Sequence, residues 1–440
     1  MKLPKHVQAI ITTLEQAGFE GYAVGGCVRD TLLQKEPDDW DITTNASPIQ
    51  VKSLFQRTID TGIQHGTVTV LMDRETYEVT TYRIDGEYED SRHPKEVIFT
   101  ANLLEDLKRR DFTINAMAYN DRSGIVDAFG GIQDLENKII RCVGNPVERF
   151  TEDALRMMRA VRFSGQLGYE IEEQTGQAVK QLAPTLSKIS AERICTELTK
   201  LMVSSHPDYL KKAYELGMTK IFLPEFDAAM ETEQNNPHHC YSVGEHILHS
   251  LQQVRADKVL RFAMLFHDTG KALTKTVDEE GIDHFYGHVE KSAEIADQRM
   301  KSLRFDNDTR EKVVRLVKYH DMKIELTPKA VRRAVVKVGE DIFPYLLEVK
   351  RADLLAQSLY KREEKEMELQ KLTELYQQIL EEKNCISIKS LAVNGSDLIA
   401  VGMQPGKAIG ETLHRMLDMV LEDPSLNTKE YLLSQISFSE

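Results

Sequence analysis

The chain has 440 residues, 41% of them hydrophobic, and this length exceeds what one hydrophobic core usually supports, so we expect two to four domains. Its 56 Lys and Arg residues against 70 Asp and Glu residues give a formal net charge of −14, which argues against indiscriminate binding of nucleic acid through overall charge. The five cysteines include no Cys-x-x-Cys pair, and no apolar run approaches the ~20 residues of a membrane-spanning helix, so we expect a protein of the reducing cytoplasm with no membrane partner.

The β-type patterns lie within the first part of the chain. Residues 67–72 and 77–82 are rich in β-branched and aromatic side chains, which favours strands, and residues 73–76 between them predict a hairpin connection. From Arg149 onward, leucines and charged residues recur at helical spacing almost everywhere. The sequence therefore predicts an α+β fold, in which a small head of β-sheet and helices precedes an elongated all-α region.

The first motif combines a glycine turn with a pair of acids. Residues 21–30, Gly-Tyr-Ala-Val-Gly-Gly-Cys-Val-Arg-Asp, read as a strand that ends in a turn. Because Gly25 and Gly26 lack a Cβ, backbone N–H groups there can approach phosphates closely. Asp39 and Asp41 flank the only tryptophan, and residues two apart in an extended segment point to the same side. This order predicts a nucleotide-transfer site with two Mg²⁺ ions ~3.5–4 Å apart.

Two later segments add polar groups suited to a nucleotide. Glu78, on the second predicted strand, is a candidate third carboxylate, and an ordinary surface position on that strand is the alternative interpretation. In the segment 109–115, Arg110 can neutralise phosphate. Asp111 and Asn115 are four apart on a predicted helical turn and can bond ribose hydroxyls.

A third segment, residues 152–163, places Asp153 and Arg156 three apart on one predicted helix face. An acceptor beside a donor matches the exocyclic amine and ring nitrogen that cytosine and adenine share. Guanine and uracil present the opposite pair, which leaves two buried polar groups mispaired at ~1–3 kcal/mol each. The chemistry of the pair is therefore suited to a gauge for C and A, whereas on spacing alone a surface ion pair is the favoured interpretation.

These segments, together with Ala191-Glu192-Arg193-Ile194, make the chain similar over essentially its full length to the class II tRNA nucleotidyltransferases, the CCA-adding enzymes. Bacterial poly(A) polymerases share the same head. The resemblance implies that CTP and ATP are joined to the 3′ end of tRNA with release of pyrophosphate, and that DNA is not a partner. It implies a catalytic head in 1–140, a neck with the nucleobase template in 141–205, a helical body in 206–370 and a tRNA-binding tail in 371–440.

The resemblance also assigns roles to particular positions. It adds Arg29, Arg159 and Arg162 to the nucleotide-binding residues. It further implies that segment 85–94 is the loop carried by relatives that add the terminal A, and an ordinary polar surface loop is the alternative.

A second cluster consists of histidines and aspartates within helical segments: His246, His267, Asp268, His288, His320 and Asp353. Imidazole and carboxylate ligands suit a divalent transition metal or magnesium that activates water. With Leu-Phe-His-Asp-Thr-Gly-Lys at 265–271, the set resembles the HD phosphohydrolase superfamily over about 235–360. In that superfamily the lysine that follows the motif, here Lys271, often contacts phosphate. The pattern leaves the metal open.

Three histidines near this cluster, His238, His239 and His249, have positions that argue against ligand roles, and His284 stays unassigned. The hypothesis is a CCA-adding transferase with a phosphohydrolase module. An A-only adding enzyme or a poly(A) polymerase is the first alternative, and the acidity of the chain weighs against nonspecific tailing of RNA. A nucleotide sensor with a non-catalytic head is the second, and the carboxylate pair at 39 and 41 argues against it.

Overall fold

The β-patterned first part of the chain forms a mixed seven-stranded sheet, and the rest of the chain is mostly helical. The computed structural model describes residues 1–85, 97–382 and 384–436. The chain divides into two units, Met1–Pro224 and Glu225–Glu440. The predicted α+β class is confirmed.

The large sheet has the strand order β3-β4-β5-β2-β1-β8-β9. Its strands are β1 Gly21–Val24, β2 Ile42–Thr44, β3 Thr58–Gly62, β4 Thr67–Met72, β5 Glu75–Thr81, β8 Met117–Asn120 and β9 Gly124–Asp127. Strands β2 and β5 pair in parallel and the other neighbours pair antiparallel. Two small sheets pair β6 Arg83–Asp85 with β7 Val97–Phe99 and β10 Ile139–Ile140 with β11 Glu170–Ile171.

The predicted hairpin is confirmed, because β4 and β5 pair from Thr67 with Thr80 to Met72 with Glu75. The second strand begins two residues earlier than predicted. Asp73 takes a left-handed φ of 55°, which lets the connection close within two residues.

The helices of the first unit cover the sheet and then continue beyond it. They are α1 Lys5–Gln16, α2 Gly26–Leu32, α3 Pro48–Leu54, α4 Leu103–Lys108, α5 Gly131–Glu136, α6 Pro146–Glu152, α7 Leu155–Leu167, α8 Glu173–Leu182, α9 Ala191–Met202, α10 Leu210–Glu215 and α11 Thr219–Phe222. Helix α4 packs buried Leu103 and Leu107 in one cluster with Tyr22 and Val24 of β1. This burial holds the end of β1, where the glycine turn begins, against the rest of the head.

Helices dominate the second unit. They are α12 Pro224–Met230, which begins at the boundary, α13 Val243–Leu251, α14 Lys258–Phe266, α15 Lys271–Thr274, α16 His288–Ser302, α17 Asn307–Tyr319, α18 Pro328–Val338, α19 Phe343–Ala356, α20 Arg362–Glu381, α21 Gly395–Ala400, α22 Lys407–Glu422 and α23 Lys429–Ser434. A short hairpin pairs β12 Thr276–Val277 with β13 Asp283–His284. Helix α14 is capped by Asp257 and is buried from Leu260 to Phe266, so it forms a central element.

The last helices have their own hydrophobic cluster, which includes Leu398, Met416, Val420 and Leu432. Among residues 1–85, 97–382 and 384–436, no helix combines the length and the apolar composition that crossing a membrane requires.

Candidate active sites

The glycine turn lies where β1 passes into α2. Gly25 has a φ of +82°, and a Cβ at this position would lie 2.9 Å from Nη1 of Arg110. The backbone conformation therefore favours glycine, and a Cβ here would displace the guanidinium. The N–H of Gly25 donates to the carbonyl of Met117 on β8, which fixes the turn at the end of the central strands.

The predicted acids lie beside this turn. The carbonyl of Asp41 accepts from the N–H of Val24 at 3.0 Å, directly before the turn. Because Ile42 pairs with Val79 in the parallel β2–β5 ladder, Glu78 is brought next to Asp41.

Electrostatics shows that these carboxylates act on one another. Burial raises the pKa of Asp41, Asp39 adds to the rise, and Arg110 opposes it. Burial also raises the pKa of Glu78, and Asp41 and then Asp39 raise it further. Carboxylates whose negative charges interact in this way form a concentration of negative charge that a cation would neutralise. Glu78 is an exposed residue of β5 whose charge interacts with those of Asp41 and Asp39, so its role as a third carboxylate stays a prediction.

Asp111 is the centre of a buried network. Its carboxylate accepts from Arg159 at 2.6 Å and from the Asn115 amide at 3.3 Å, and the Asn115 carbonyl oxygen accepts from Arg29 at 2.8 Å. Burial alone would raise the pKa of Asp111, but Arg159 and then Arg156 outweigh it and hold that pKa at about 2. The network joins four of the predicted nucleotide-binding residues.

The predicted single helix through Asp153 and Arg156 is wrong. Helix α6 ends at Glu152 and α7 begins at Leu155, while Asp153 between them is extended, with φ −139° and ψ 103°. The cause is local, because the Asp153 carboxylate accepts from the N–H of Leu155 at 3.0 Å. An aspartate that caps the following helix in this way favours a non-helical backbone for itself.

Different partners hold the two side chains of the predicted gauge. Arg193 of α9 contacts the Asp153 carboxylate at 2.8 Å. Arg156 contacts Glu152 at 2.7 Å and donates to the carbonyl of Arg109 at 3.1 Å. Sequence reasoning noted Arg193 only within a matching segment and gave it no role.

Arg162 differs from the other predicted arginines because it is almost fully buried. It pairs with buried Glu197 of α9 at 2.5 Å and lies 3.9 Å from the centroid of the Phe163 ring. Arg29 and Arg159 also approach that ring, at 5.1 and 5.3 Å. Three guanidinium groups thus lie near the Phe163 ring and make cation–π contacts with it.

The second unit brings the six predicted ligand residues together. Each of the four imidazoles directs Nδ1 at a backbone carbonyl: His246 at Ala356 (3.2 Å), His267 at Met264 (2.7 Å), His288 at Phe285 (2.9 Å) and His320 at Val317 (2.7 Å). An imidazole that donates through Nδ1 keeps the Nε2 lone pair for a metal.

The ligand atoms form two groups that share Asp268. His246, His267, Asp268 and Asp353 make up one group and Asp268, His288 and His320 the other, and within each group the ligand atoms lie within 4.8 Å of one another. Burial would raise the pKa of Asp268, but Lys271 and then His267 hold it well below its usual range. Within the described residues, only these two groups converge so closely, and the head carboxylates do not.

A cavity of about 390 Å³ opens onto this centre, and its walls include Asp268, Lys271, His288, His320, Asp353, His239, His284 and Tyr286. Lys271 is buried and contacts Asp268 at 2.7 Å. His239 was set aside from the sequence, yet its ring centroid lies 5.3 Å from that of His246. Burial and then Lys271 lower the pKa of His239 to about 3. His238 and His249 lie outside the cavity wall.

Family models match three stretches of the chain: the Poly A polymerase head domain over residues 21–141, the probable RNA and SrmB-binding site of polymerase A over 168–230, and the putative tRNA nucleotidyltransferase domain 2 over 274–436. The chain is 38% identical over 424 residues to the CCA-adding enzyme of Lactobacillus helveticus, which covers 96% of this chain and 94% of the relative. It belongs to the CCA-adding enzyme family. It is also 36% identical over 435 residues to the CCA-adding enzyme of Enterococcus faecalis, covering 98% and 95% of the two chains.

The fold of this family member matches the crystal structure of the Bacillus stearothermophilus CCA-adding enzyme in complex with CTP. The TM-score is 0.73 at 30% identity, with 99% of this chain and 98% of that chain covered. The matched head model includes the glycine turn, the acids and Asp111. Asp153 and Arg156 fall between the first two matched stretches, and His246 and His267 between the last two. The segment predicted as the loop of terminal-A addition lies, from residue 86 onward, outside the described residues.

Proposed function

We propose that the chain is a nucleotidyltransferase that adds C and A to the 3′ end of tRNA from CTP and ATP and releases pyrophosphate, without a nucleic-acid template. The observation that carries the proposal is the set of mutually repelling carboxylates, Asp39, Asp41 and Glu78, beside the glycine turn of a chain in the CCA-adding family. Relatives crystallised with CTP and, in Thermotoga maritima, with tRNA support the choice of partners.

In this proposal the head positions the triphosphate. The backbone at Gly25 admits its phosphates, and Arg110, packed against the turn, neutralises them. Asp39, Asp41 and Glu78 would hold Mg²⁺. When bound, Mg²⁺ would stabilise negative charge on the attacking 3′-oxygen and on the leaving pyrophosphate. Positioning then supplies most of the catalysis.

Base selection falls to Asp153 and Arg156. Asp153 accepts from the exocyclic amine of C or A, and the contact with Arg193 orients its carboxylate. Arg156 donates to the ring nitrogen, in competition with its contacts to Glu152 and to the Arg109 carbonyl. The Asp111 network, with Arg29, Asn115 and Arg159, places the neck helix against the head.

We extend the proposal to the domains. We assign catalysis to 1–140, base selection to 141–205 and tRNA binding to the tail at 371–440. The five cysteines, Cys27, Cys142, Cys195, Cys240 and Cys385, are all unpaired, which supports a cytoplasmic location.

The test is primer extension with three substrates: a tRNA transcript that ends before CC, one that ends after CC, and an unrelated RNA. Each reaction contains only one of the four nucleoside triphosphates. We expect C and A in order on tRNA alone. Addition of A only to the transcript ending in CC would favour the A-only enzyme. Addition of A to any RNA would favour a poly(A) polymerase. Incorporation of UTP or GTP as readily as ATP would contradict the base gauge.

We also infer that the second unit is a metal-dependent phosphohydrolase. The two ligand groups that share Asp268 would hold divalent metal, and the Lys271 ammonium would contact the substrate phosphate. When bound, the metal would supply an activated water. The Nε2 atoms and carboxylate oxygens of these residues are suitable ligands for several divalent ions, so the residues do not specify which metal binds.

The two proposed activities separate by mutation. We expect Asp39→Ala to abolish nucleotide transfer and to leave phosphate release unchanged, because the cations of the two sites have separate ligands. We expect His267→Ala to do the reverse. Asp38→Ala and His249→Ala are matched controls, since each removes the same type of side chain outside the ligand sets. Loss of both activities in either ligand variant would mean that the sites are not independent.

A further inference from the structure

An exposed aromatic ring forms part of the cavity wall at the Asp268 centre. Tyr286 is 77% exposed, although the ligand residues around it are mostly buried. Single exposed apolar side chains are common on protein surfaces, so exposure alone assigns no role. This ring, however, lies in the same wall as Asp268 and Lys271, so its orientation decides whether a ligand in the cavity can contact it.

The ring is fixed in place by a short polar chain. Tyr286 stacks on His284 with an interplanar angle of 7° and a centroid separation of 5.3 Å. The Tyr286 hydroxyl lies 3.4 Å from Nδ1 of His284, whose Nε2 contacts Asp278 at 2.6 Å. The hairpin that carries them is anchored in turn, since Asp283 contacts Lys275 at 2.8 Å and accepts from the N–H of Asn235 at 2.6 Å.

This support leaves one face of the ring covered and the other open. His284 covers one face, and the high exposure of Tyr286 requires the opposite face to be free. Gly287, with φ +76°, follows directly and starts α16 at the ligand residue His288. A rigid aromatic face therefore stands two residues from a member of the ligand groups.

We propose that Tyr286 is the stacking platform for the nucleobase of a ribonucleotide whose phosphate is held at the Asp268 centre. The inference rests on the proposed phosphohydrolase function and names its substrate class. Lys271 and the ligand groups recognise the phosphate, and the open ring recognises a flat base. A cavity of about 390 Å³ is of the size that holds a small ligand of this kind. Stacking carries no hydrogen-bond code, so the platform accepts all four bases.

The test compares substrates with and without a base. Phosphate release is measured from 2′-, 3′- and 5′-AMP, from a short RNA ending in a 3′-phosphate, and from ribose 5-phosphate and glycerol 2-phosphate, with Mg²⁺ or Mn²⁺ added. Free nucleotide and RNA end are thereby distinguished. We expect Tyr286→Ala to raise KM for the substrates that carry a base by ~5-fold to ~150-fold, the range for loss of one stacked base. The base-free substrates should keep their KM.

Two variants control the comparison. Tyr286→Phe keeps the ring and should stay near wild type. Tyr241→Ala removes the other tyrosine that stacks on a histidine in this unit, with Tyr241 and His249 centroids 4.2 Å apart, and should change nothing because Tyr241 is outside the cavity wall. An equal rise in KM for ribose 5-phosphate, or no change in Tyr286→Ala, would overturn the platform.

Binding separates this inference from the proposed activity. If the wild type releases no phosphate, equilibrium dialysis of labelled 3′-AMP decides, because any binding at the head is the same in the wild type and in Tyr286→Ala and cancels in the comparison. If Tyr286→Ala binds 3′-AMP more weakly than the wild type and neither protein releases phosphate, the stacking role of Tyr286 stands and the proposed hydrolysis is rejected. Equal binding by wild type and Tyr286→Ala, or no binding by the wild type, would reject the platform itself.

Discussion

Replacing Arg193 by Gln tests the base gauge through a residue that need not touch the nucleotide. The substitution removes the guanidinium that contacts the Asp153 carboxylate at 2.8 Å, where the side chains of Arg193 and Asp153 are 24% and 18% exposed. A charge-assisted hydrogen bond contributes ~1.5–3 kcal/mol when buried, and partial exposure lowers this to about 1–2 kcal/mol. That loss corresponds to a ~5-fold to ~30-fold change.

The substitution should change the selection between nucleotides. Without Arg193 the Asp153 carboxylate is less well oriented, so the free-energy cost of placing the uracil carbonyl beside it decreases. The ratio of kcat/KM for CTP to that for UTP should therefore drop by this factor. Initial rates of incorporation of CTP and UTP into a tRNA transcript lacking CCA, and of ATP into a transcript ending in CC, give kcat/KM for each nucleotide. Arg193→Lys keeps the charge but loses the planar fork and should lie between wild type and Arg193→Gln.

Arg141→Gln is the matched control for this series. Arg141 pairs with Asp134 at 3.1 Å and with Glu172 at 3.4 Å in the same unit, and neither of these partners belongs to the gauge. Its loss should leave base preference unchanged. Wild-type discrimination in Arg193→Gln, together with lost discrimination in Asp153→Ala, would refute the positioning role.

Two further substitutions probe the head. Gly25→Ala should raise KM for CTP and ATP, because Gly25 combines a φ of +82° with a ψ of −128°, which residues other than glycine rarely adopt, and because its Cβ would lie 2.9 Å from Arg110. Gly124→Ala, at a φ of +70° on β9, is the control for a substitution at positive φ away from the turn, and an equal rise in KM in both variants would contradict the role of the turn. For Asp111, whose pKa falls from 3.8 to about 2, the lowered value stabilises the fold by about 2 kcal/mol above the unfolded pKa. This contribution is lost as the pH falls from about 4 through 2, so the Tm gap between wild type and Asp111→Asn should be constant above pH 5 and narrow below pH 4; a constant gap down to pH 3 would refute the assignment.

The sequence was most informative where a local pattern determines the geometry. The β4–β5 hairpin follows from runs of β-branched and aromatic residues on either side of a short polar connection. The neighbourhood of Glu78 could not be derived in the same way. It depends on the parallel pairing of β2 with β5, which joins strands that are distant in sequence.

The residue spacing gave a wrong prediction at Asp153, where helix formation and side-chain capping of the next helix compete. An i,i+3 pair predicts one helix face, but the aspartate at 153 satisfies the N–H of Leu155 and interrupts the helix. The partner that then holds Asp153 comes from α9, and no spacing rule connects residue 193 to residue 153. Secondary structure could be estimated from the segment alone, whereas the orientation of the gauge required the packing of α7 against α9.

The same distinction explains the second unit. Metal ligands are recognisable in a sequence because few residue types carry suitable lone pairs, and the six predicted ligands do converge. The other residues of the cavity wall can be of any type. His239 and Tyr286 enter it because two loops, one before α13 and one before α16, fold toward the same centre. Substrate selection in such a site therefore depends on residues that ligand patterns do not reveal, and for this reason the stacking platform had to be inferred from the fold.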